Sequence, residues 1–140
     1  VAGPLKPKFT TVIVESFISL VKVTSTKPMS RLTPVAPGCG KRDIATIFGR
    51  KYDESLIPHI ADADLIYHET TYLDNLRERA ESRFHSTTKQ AAQIALKANV
   101  KKLLIGHFSS KYDTLHEFEQ EAREVFPNTE LALEGAVYIV

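Results

Sequence analysis

The sequence predicts an α/β (α+β) protein in which helices pack on a sheet with parallel neighbours. Three observations carry that expectation. From Asp53 onward, short apolar runs alternate with helix-spaced apolar positions, the order that lays helices on a sheet. Two of the helical stretches are preceded by a hydroxyl residue with Gln or Glu three positions later, the signature of a capped helix start. Polar clusters follow the buried-strand patterns or precede helix starts, where α/β sheets present functional groups.

In chain order, Asp53 is placed to cap a helix with Leu56, Ile57 and Ile60 on its apolar side, and Pro58 lies near its start, where proline is tolerated. Asp64-Leu65-Ile66-Tyr67-His68 reads as a buried strand. Thr71 to about Arg79 reads as a second helix, with Leu73, Leu76 and Ala80 on one side. Thr87-Thr88-Lys89-Gln90 is a capping box that opens a third helix carrying Ala91, Ile94, Ala95 and Ala98, and Asn99 is its stop. Lys102 to Gly106 is a second buried strand. Thr114-Leu115-His116-Glu117 is a further capping box, whose helix buries Leu115, Phe118, Ala122 and Val125 and ends before Pro127. Glu130–Leu133 and Ala136–Val140 read as closing strands around Gly135.

The first part of the chain has a different character. Pro4, Pro7, Pro28, Pro34 and Pro37 lie there, Thr10 to Val23 suits one or two strands, and Thr24 to Lys41 is loop-like. The change falls near Gly49–Arg50, which predicts an atypical Pro-rich segment over 1–49 and a domain over 50–140.

The totals narrow the function. At 140 residues, 43% hydrophobic and 25% charged, the chain has the composition of one soluble globular domain. A net charge of +1 carries no global signal for nucleic acid, so any such role rests on a local basic patch. A single cysteine, Cys39, excludes a disulfide framework within the chain and a cysteine-rich zinc site. No run approaches the roughly 18 apolar residues that span a bilayer, so no membrane association is expected.

Three clusters can carry chemistry: His68-Glu69-Thr70-Thr71 after the first buried strand, His85-Ser86-Thr87 before a helix, and His107-Phe108-Ser109-Ser110-Lys111-Tyr112 after the second buried strand. A neutral imidazole such as His107 is a good zinc ligand. A histidine with a nearby carboxylate, as His85 with Glu69, can deliver a proton to a leaving oxygen. Hydroxyls at a helix N-terminus, as in Ser86-Thr87, suit a phosphate, and Lys111 adds a point charge. Each cluster also has a purely structural meaning: a strand-end histidine, a helix cap, and a local pair that closes a strand.

Taken together and in this order, the clusters resemble those of ribonuclease Z, the zinc-dependent endonuclease that trims the 3′ end of precursor tRNA. His68-Glu69-Thr70-Thr71 is similar to its His-Glu-Ala-Thr element, with threonine for alanine. His85-Ser86-Thr87 resembles its His-Ser-Thr loop, and Gly106-His107-Phe108-Ser109-Ser110-Lys111-Tyr112 its last histidine motif. The segment from Glu121 to Thr129 is also typical of the family's end. The resemblance runs from about Lys51 to Val140. It implies a partial metallo-β-lactamase-like fold, roughly the C-terminal half of an αββα sandwich. It implies that His107 ligates zinc, that His85 helps protonate the leaving 3′ oxygen, that Glu69 and His68 support that site, and that Ser109, Ser110 and Lys111 contact phosphate. Precursor tRNA, two zinc ions per complete site and a cytoplasmic setting are likewise implied.

The chain departs from the family in its metal ligands. The His-x-His-x-Asp-His metal motif is absent, a further histidine ligand upstream is also missing, and Gly49 and Arg50 stand where a metal-bridging aspartate is expected. A catalytic zinc takes about three protein ligands. The chain by itself is therefore expected not to hold both zincs and not to cleave RNA. Half a sandwich also leaves a sheet face to cover, so a homo-oligomer such as a homodimer is expected. Two other readings follow: a non-catalytic RNA- or protein-binding remnant of the family, or another hydrolase of the same fold.

Overall fold

Leu65-Ile66-Tyr67-His68-Glu69 forms a strand in which every residue is buried, as an uninterrupted apolar run must be when sheet partners flank it and layers cover both faces. In the computed structural model, which describes residues 10–15, 20–25, 44–47 and 51–139, this is β4 of seven strands. Before it come β1 (Thr10–Glu15), β2 (Leu20–Ser25) and β3 (Ile44–Ile47). After it come β5 (Lys102–Gly106), β6 (Thr129–Leu131) and β7 (Val137–Ile139). The helices are α1 (Ile57–Ile60), α2 (Arg77–Ser82), α3 (Thr88–Lys97) and α4 (His116–Val125).

The strands form two sheets. One has the order β3-β4-β5-β6 and is parallel throughout. The other has the order β1-β2-β7, with β1 and β2 antiparallel and β7 parallel to β2. β4 and β5 sit centrally in the parallel sheet, so the loops that follow them, after Glu69 and after Gly106, leave the same sheet edge side by side. Ligands bind at that edge in α/β sheets.

Helices α3 and α4 pack against each other, and α3 packs on β4 and β5. The buried face of α3 is Ala91, Ala92, Ile94 and Ala95, small residues that let the helix approach the sheet closely. Phe118 of α4 is fully buried, with Phe108 and Tyr112 edge-on to its ring at 4.8 Å each. Burial of such a ring stabilises by roughly 2–3 kcal/mol, and here it also anchors the loop after β5 to the core.

Most expected elements form, with four differences. The capping box of α3 forms as expected: Thr87 accepts from the Gln90 N–H, and the Gln90 side chain accepts from the Thr87 N–H. The one expected at Thr114 does not. Leu115 is the N-cap of α4 and gives no side-chain bond; its half-buried side chain packs on the core and its carbonyl takes the Phe118 N–H. The second helix starts later than Thr71, with a turn of 3-10 helix over Asp74–Leu76 and then α2, because Thr71 and Tyr72 are held extended by Glu69 and by a bridge to Thr87. Strand β3 was not expected. The two closing strands fall in different sheets, β6 beside β5 and β7 beside β2. The expected division near residues 49–50, Cys39, and the Gly49 and Arg50 positions lie outside the described residues. Among the described residues, no helix is long and apolar enough to cross a membrane.

Candidate metal and phosphoryl-transfer site

Successive strand residues point to opposite faces, so His68 and Glu69 part company at the end of β4. His68 turns into the interior. It is 2% exposed and its Nδ1 donates to the Glu69 carbonyl at 2.7 Å. Burial holds its pKa down at about 4, so the ring is neutral. Glu69 turns the other way and collects the site.

The Glu69 carboxylate is fully buried and accepts three hydrogen bonds. Oε1 takes the Ser86 N–H at 2.6 Å, and Oε2 takes the Thr71 N–H at 3.1 Å and the Thr71 hydroxyl at 2.8 Å. Burial pushes its pKa up, while the bonds from Thr71 and Ser86 pull it back. The carboxylate thus joins the end of β4 to the loop before α3. Backbone bonds tie in the third loop: Thr70 N–H donates to Gly106 at 2.7 Å and Ser109 N–H to Thr71 at 3.0 Å.

His107 leaves β5 with a left-handed φ of 59°, which aims its ring back across the sheet edge. Its Nδ1 lies 3.0 Å from the Thr71 hydroxyl oxygen. That hydroxyl has one proton, given to Glu69, so its oxygen accepts from His107 Nδ1–H. In the tautomer with the proton on Nδ1, the lone pair lies on Nε2. A carboxylate–hydroxyl–imidazole chain of this kind orients a metal-binding histidine.

His85 stacks on His107 with ring centroids 5.5 Å apart, and Tyr72 meets its other side edge-on at 6.3 Å. Its Nδ1 is sealed from solvent, has no hydrogen-bond partner among the described residues, and lies 3.6 Å from Glu69 Oε2. The side chain is 27% exposed, so the rest of the ring reaches solvent. At 3.6 Å the carboxylate is beyond hydrogen-bonding reach. Burial, and then the neighbouring Arg83 charge, lower the His85 pKa.

Glu69, His85 and His107 offer ligand atoms that all lie within 4.8 Å of one another. A first-row metal draws N and O donors to about 2.0–2.2 Å, closer together than these atoms stand. The free donor is His107 Nε2. Glu69 is within reach but already accepts three bonds, and His85 contributes an orphaned nitrogen. The described residues therefore fit one side of a metal centre, and further ligands are required to close it.

The structure brings His85, Glu69 and His107 together and keeps His68 out of the cluster. Ser109 is half-buried at its rim, while Ser110 and Lys111 are exposed, with Lys111 Nζ 4.9 Å above the Tyr112 ring. Sequence reasoning missed Thr71 as a site residue, because a threonine after a strand gives no sign of which side chain it will meet.

The chain is similar in sequence to ribonuclease Z proteins. Ribonuclease Z of Cytophaga hutchinsonii is 43% identical over 104 residues, covering 74% of this chain and 33% of that protein. Ribonuclease Z of Parabacteroides distasonis is 42% identical over 108 residues, covering 77% of this chain and 35% of that protein. Both matches are longer than the stretch from Lys51 to Val140, so they run upstream of Lys51. The chain spans about a third of the length of the curated relatives it matches. The metallo-β-lactamase fold protein YhfI from Bacillus subtilis superposes on 94% of this chain with a TM-score of 0.52 at 19% identity, and 45% of that protein is covered. The chain thus has part of a metallo-β-lactamase fold, as the sequence predicts. No family model matches it.

Proposed function

From its resemblance to the C-terminal part of ribonuclease Z, we propose that this chain forms the leaving-group side of a zinc-dependent endoribonuclease site that hydrolyses a phosphodiester bond of precursor tRNA at the 3′ end. The observation that carries the reading is the convergence of His85 and His107 on the buried Glu69 carboxylate.

In the hydrolysis, water attacks phosphorus, the P–O3′ bond breaks, and the 3′ oxygen must gain a proton. His85 is the donor: its outer edge meets solvent and substrate, while its inner nitrogen rests beside the Glu69 carboxylate, which stabilises the imidazolium. Approach of the anionic phosphate raises the proton affinity that burial and Arg83 depress. Ser109, Ser110 and Lys111, on the rim after β5, bind phosphate oxygens. His107 Nε2 is this chain's zinc donor, with Glu69 in reach. Zinc bound there would supply positive charge for the developing oxyanion and an acidified water as nucleophile. His68 supports the site from beneath by holding the carbonyl of Glu69. The site belongs in the cytoplasm, with its tRNA substrate.

Because the described donors close only one side of a metal centre, the chain alone binds zinc and precursor tRNA without efficient cleavage. The test is elemental analysis after dialysis, together with crosslinking to precursor tRNA. At most one zinc per chain, lost in His107→Ala and kept in Ser110→Ala, with crosslinks at the 3′ trailer junction, is the expected result. Absence of both zinc and RNA binding would overturn the proposal. Two zincs with full cleavage would overturn the incompleteness.

A further inference from the structure

Phe84, immediately before His85, has a left-handed φ of 59° and is 63% exposed. Left-handed backbone is unfavourable for a bulky side chain and is tolerated where surrounding structure or function requires it. The ring is not among the residues clustered with the described core. The left-handed residue closes the C-terminus of α2, with the Phe84 N–H on the Glu81 carbonyl at 3.3 Å and the His85 N–H on the Ala80 carbonyl at 2.8 Å, and it leaves an exposed aromatic ring next in sequence to the proton donor of the proposed reaction. Lys51 Nζ lies 5.1 Å from the centre of that ring. Around it the surface alternates basic and aromatic groups: exposed Arg83 precedes it in sequence, and Arg79 lies 5.9 Å over the Tyr72 ring, which itself meets His85.

Resting on the proposed function, we infer that Phe84 and Lys51 form a stacking platform for an unpaired nucleobase of the single-stranded RNA next to the scissile phosphate. An exposed aromatic face with a cation beside it is the chemistry that holds single-stranded nucleic acid, with the ring taking the base and the cation the backbone. The platform is sequence-tolerant, because every base has a π-face. It sets the register of the strand, so that the phosphate beside the stacked base falls at His85.

The chain has no tryptophan, so Phe84→Trp installs a single reporter at the platform. A short single-stranded oligoribonucleotide is expected to quench its fluorescence, and the same backbone with abasic sites is not. Leu96→Trp, at an exposed position on α3, is expected to be unaffected by either. By anisotropy with labelled RNA, Phe84→Leu is expected to bind roughly five- to a hundredfold more weakly than the unaltered chain, with zinc content unchanged. If RNA binds equally to the unaltered chain and to Phe84→Leu, and Phe84→Trp is not quenched, the platform is wrong and the proposed function stands. If the unaltered chain binds no RNA, both fall.

Discussion

The hydroxyl of Thr71 meets Nδ1 of His107 at 3.0 Å across 36 residues of sequence. Since the hydroxyl proton is committed to Glu69, the contact selects the tautomer of His107 and leaves Nε2 as the donor for a metal. Loss of such an orienting group typically lowers metal affinity by about ten- to a hundredfold. Thr71→Val keeps the shape and removes the hydroxyl, so zinc affinity measured by competition with an indicator should fall by about that much. Thr71→Ser should restore it. Equal affinities for all three proteins would remove Thr71 from the argument.

His68 makes stability depend on pH. Its folded-state pKa is lowered from 6.5 to about 4 by burial. A depressed value means that the fold favours the neutral ring. The contribution is therefore complete above pH 6.5 and is lost as pH falls toward 4. The full shift corresponds to about 3 kcal/mol. In urea unfolding, His68→Asn, which can keep a donor for the Glu69 carbonyl, should flatten the stability profile between these pH values. An unchanged profile would mean that other groups carry the acid response.

Arg83 depresses the His85 pKa in addition to burial. Arg83→Gln should therefore move the His85 titration upward toward the ordinary imidazole range, as followed by NMR of the ring protons in zinc-free protein. The residual depression would measure burial alone. A downward shift would mean that Arg83 acts on His85 by something other than its charge.

Gly106, which precedes His107, is tested by its missing side chain. A Cβ there would lie 2.8 Å from Cζ of Tyr67, inside the contact limit for real carbon atoms. Tyr67 is itself buried, so the clash has no easy outlet. Gly106→Ala should destabilise the chain by about 1–3 kcal/mol, the usual cost of overpacking. Tyr67→Phe removes the hydroxyl that crowds the position most and should recover part of the loss in a double-mutant cycle. Additive effects of the two substitutions would show that the hydroxyl is not the obstacle.

The sequence by itself determined the elements whose signals are local. The apolar runs at Leu65 and Leu103 are buried strands, and Thr87 with Gln90 caps α3, because continuous apolarity and a hydroxyl three residues from an amide act within a few residues of chain. The ordered histidine motifs proposed Glu69, His68, His85, His107, Ser109, Ser110 and Lys111 as candidates, and Glu69, His85 and His107 lie together. Tertiary structure decided the rest. It gave the short Ile44–Ile47 run a place beside β4 and sent β7 to the other sheet, because pairing depends on partners distant in sequence. It left Thr114 without a cap, since the packing of Leu115 outweighed the local hydroxyl. It turned His68 and Glu69 to opposite faces of β4 and joined Thr71 to His107. These are consequences of which buried groups must find partners once the sheet closes, and no periodicity along the chain encodes them.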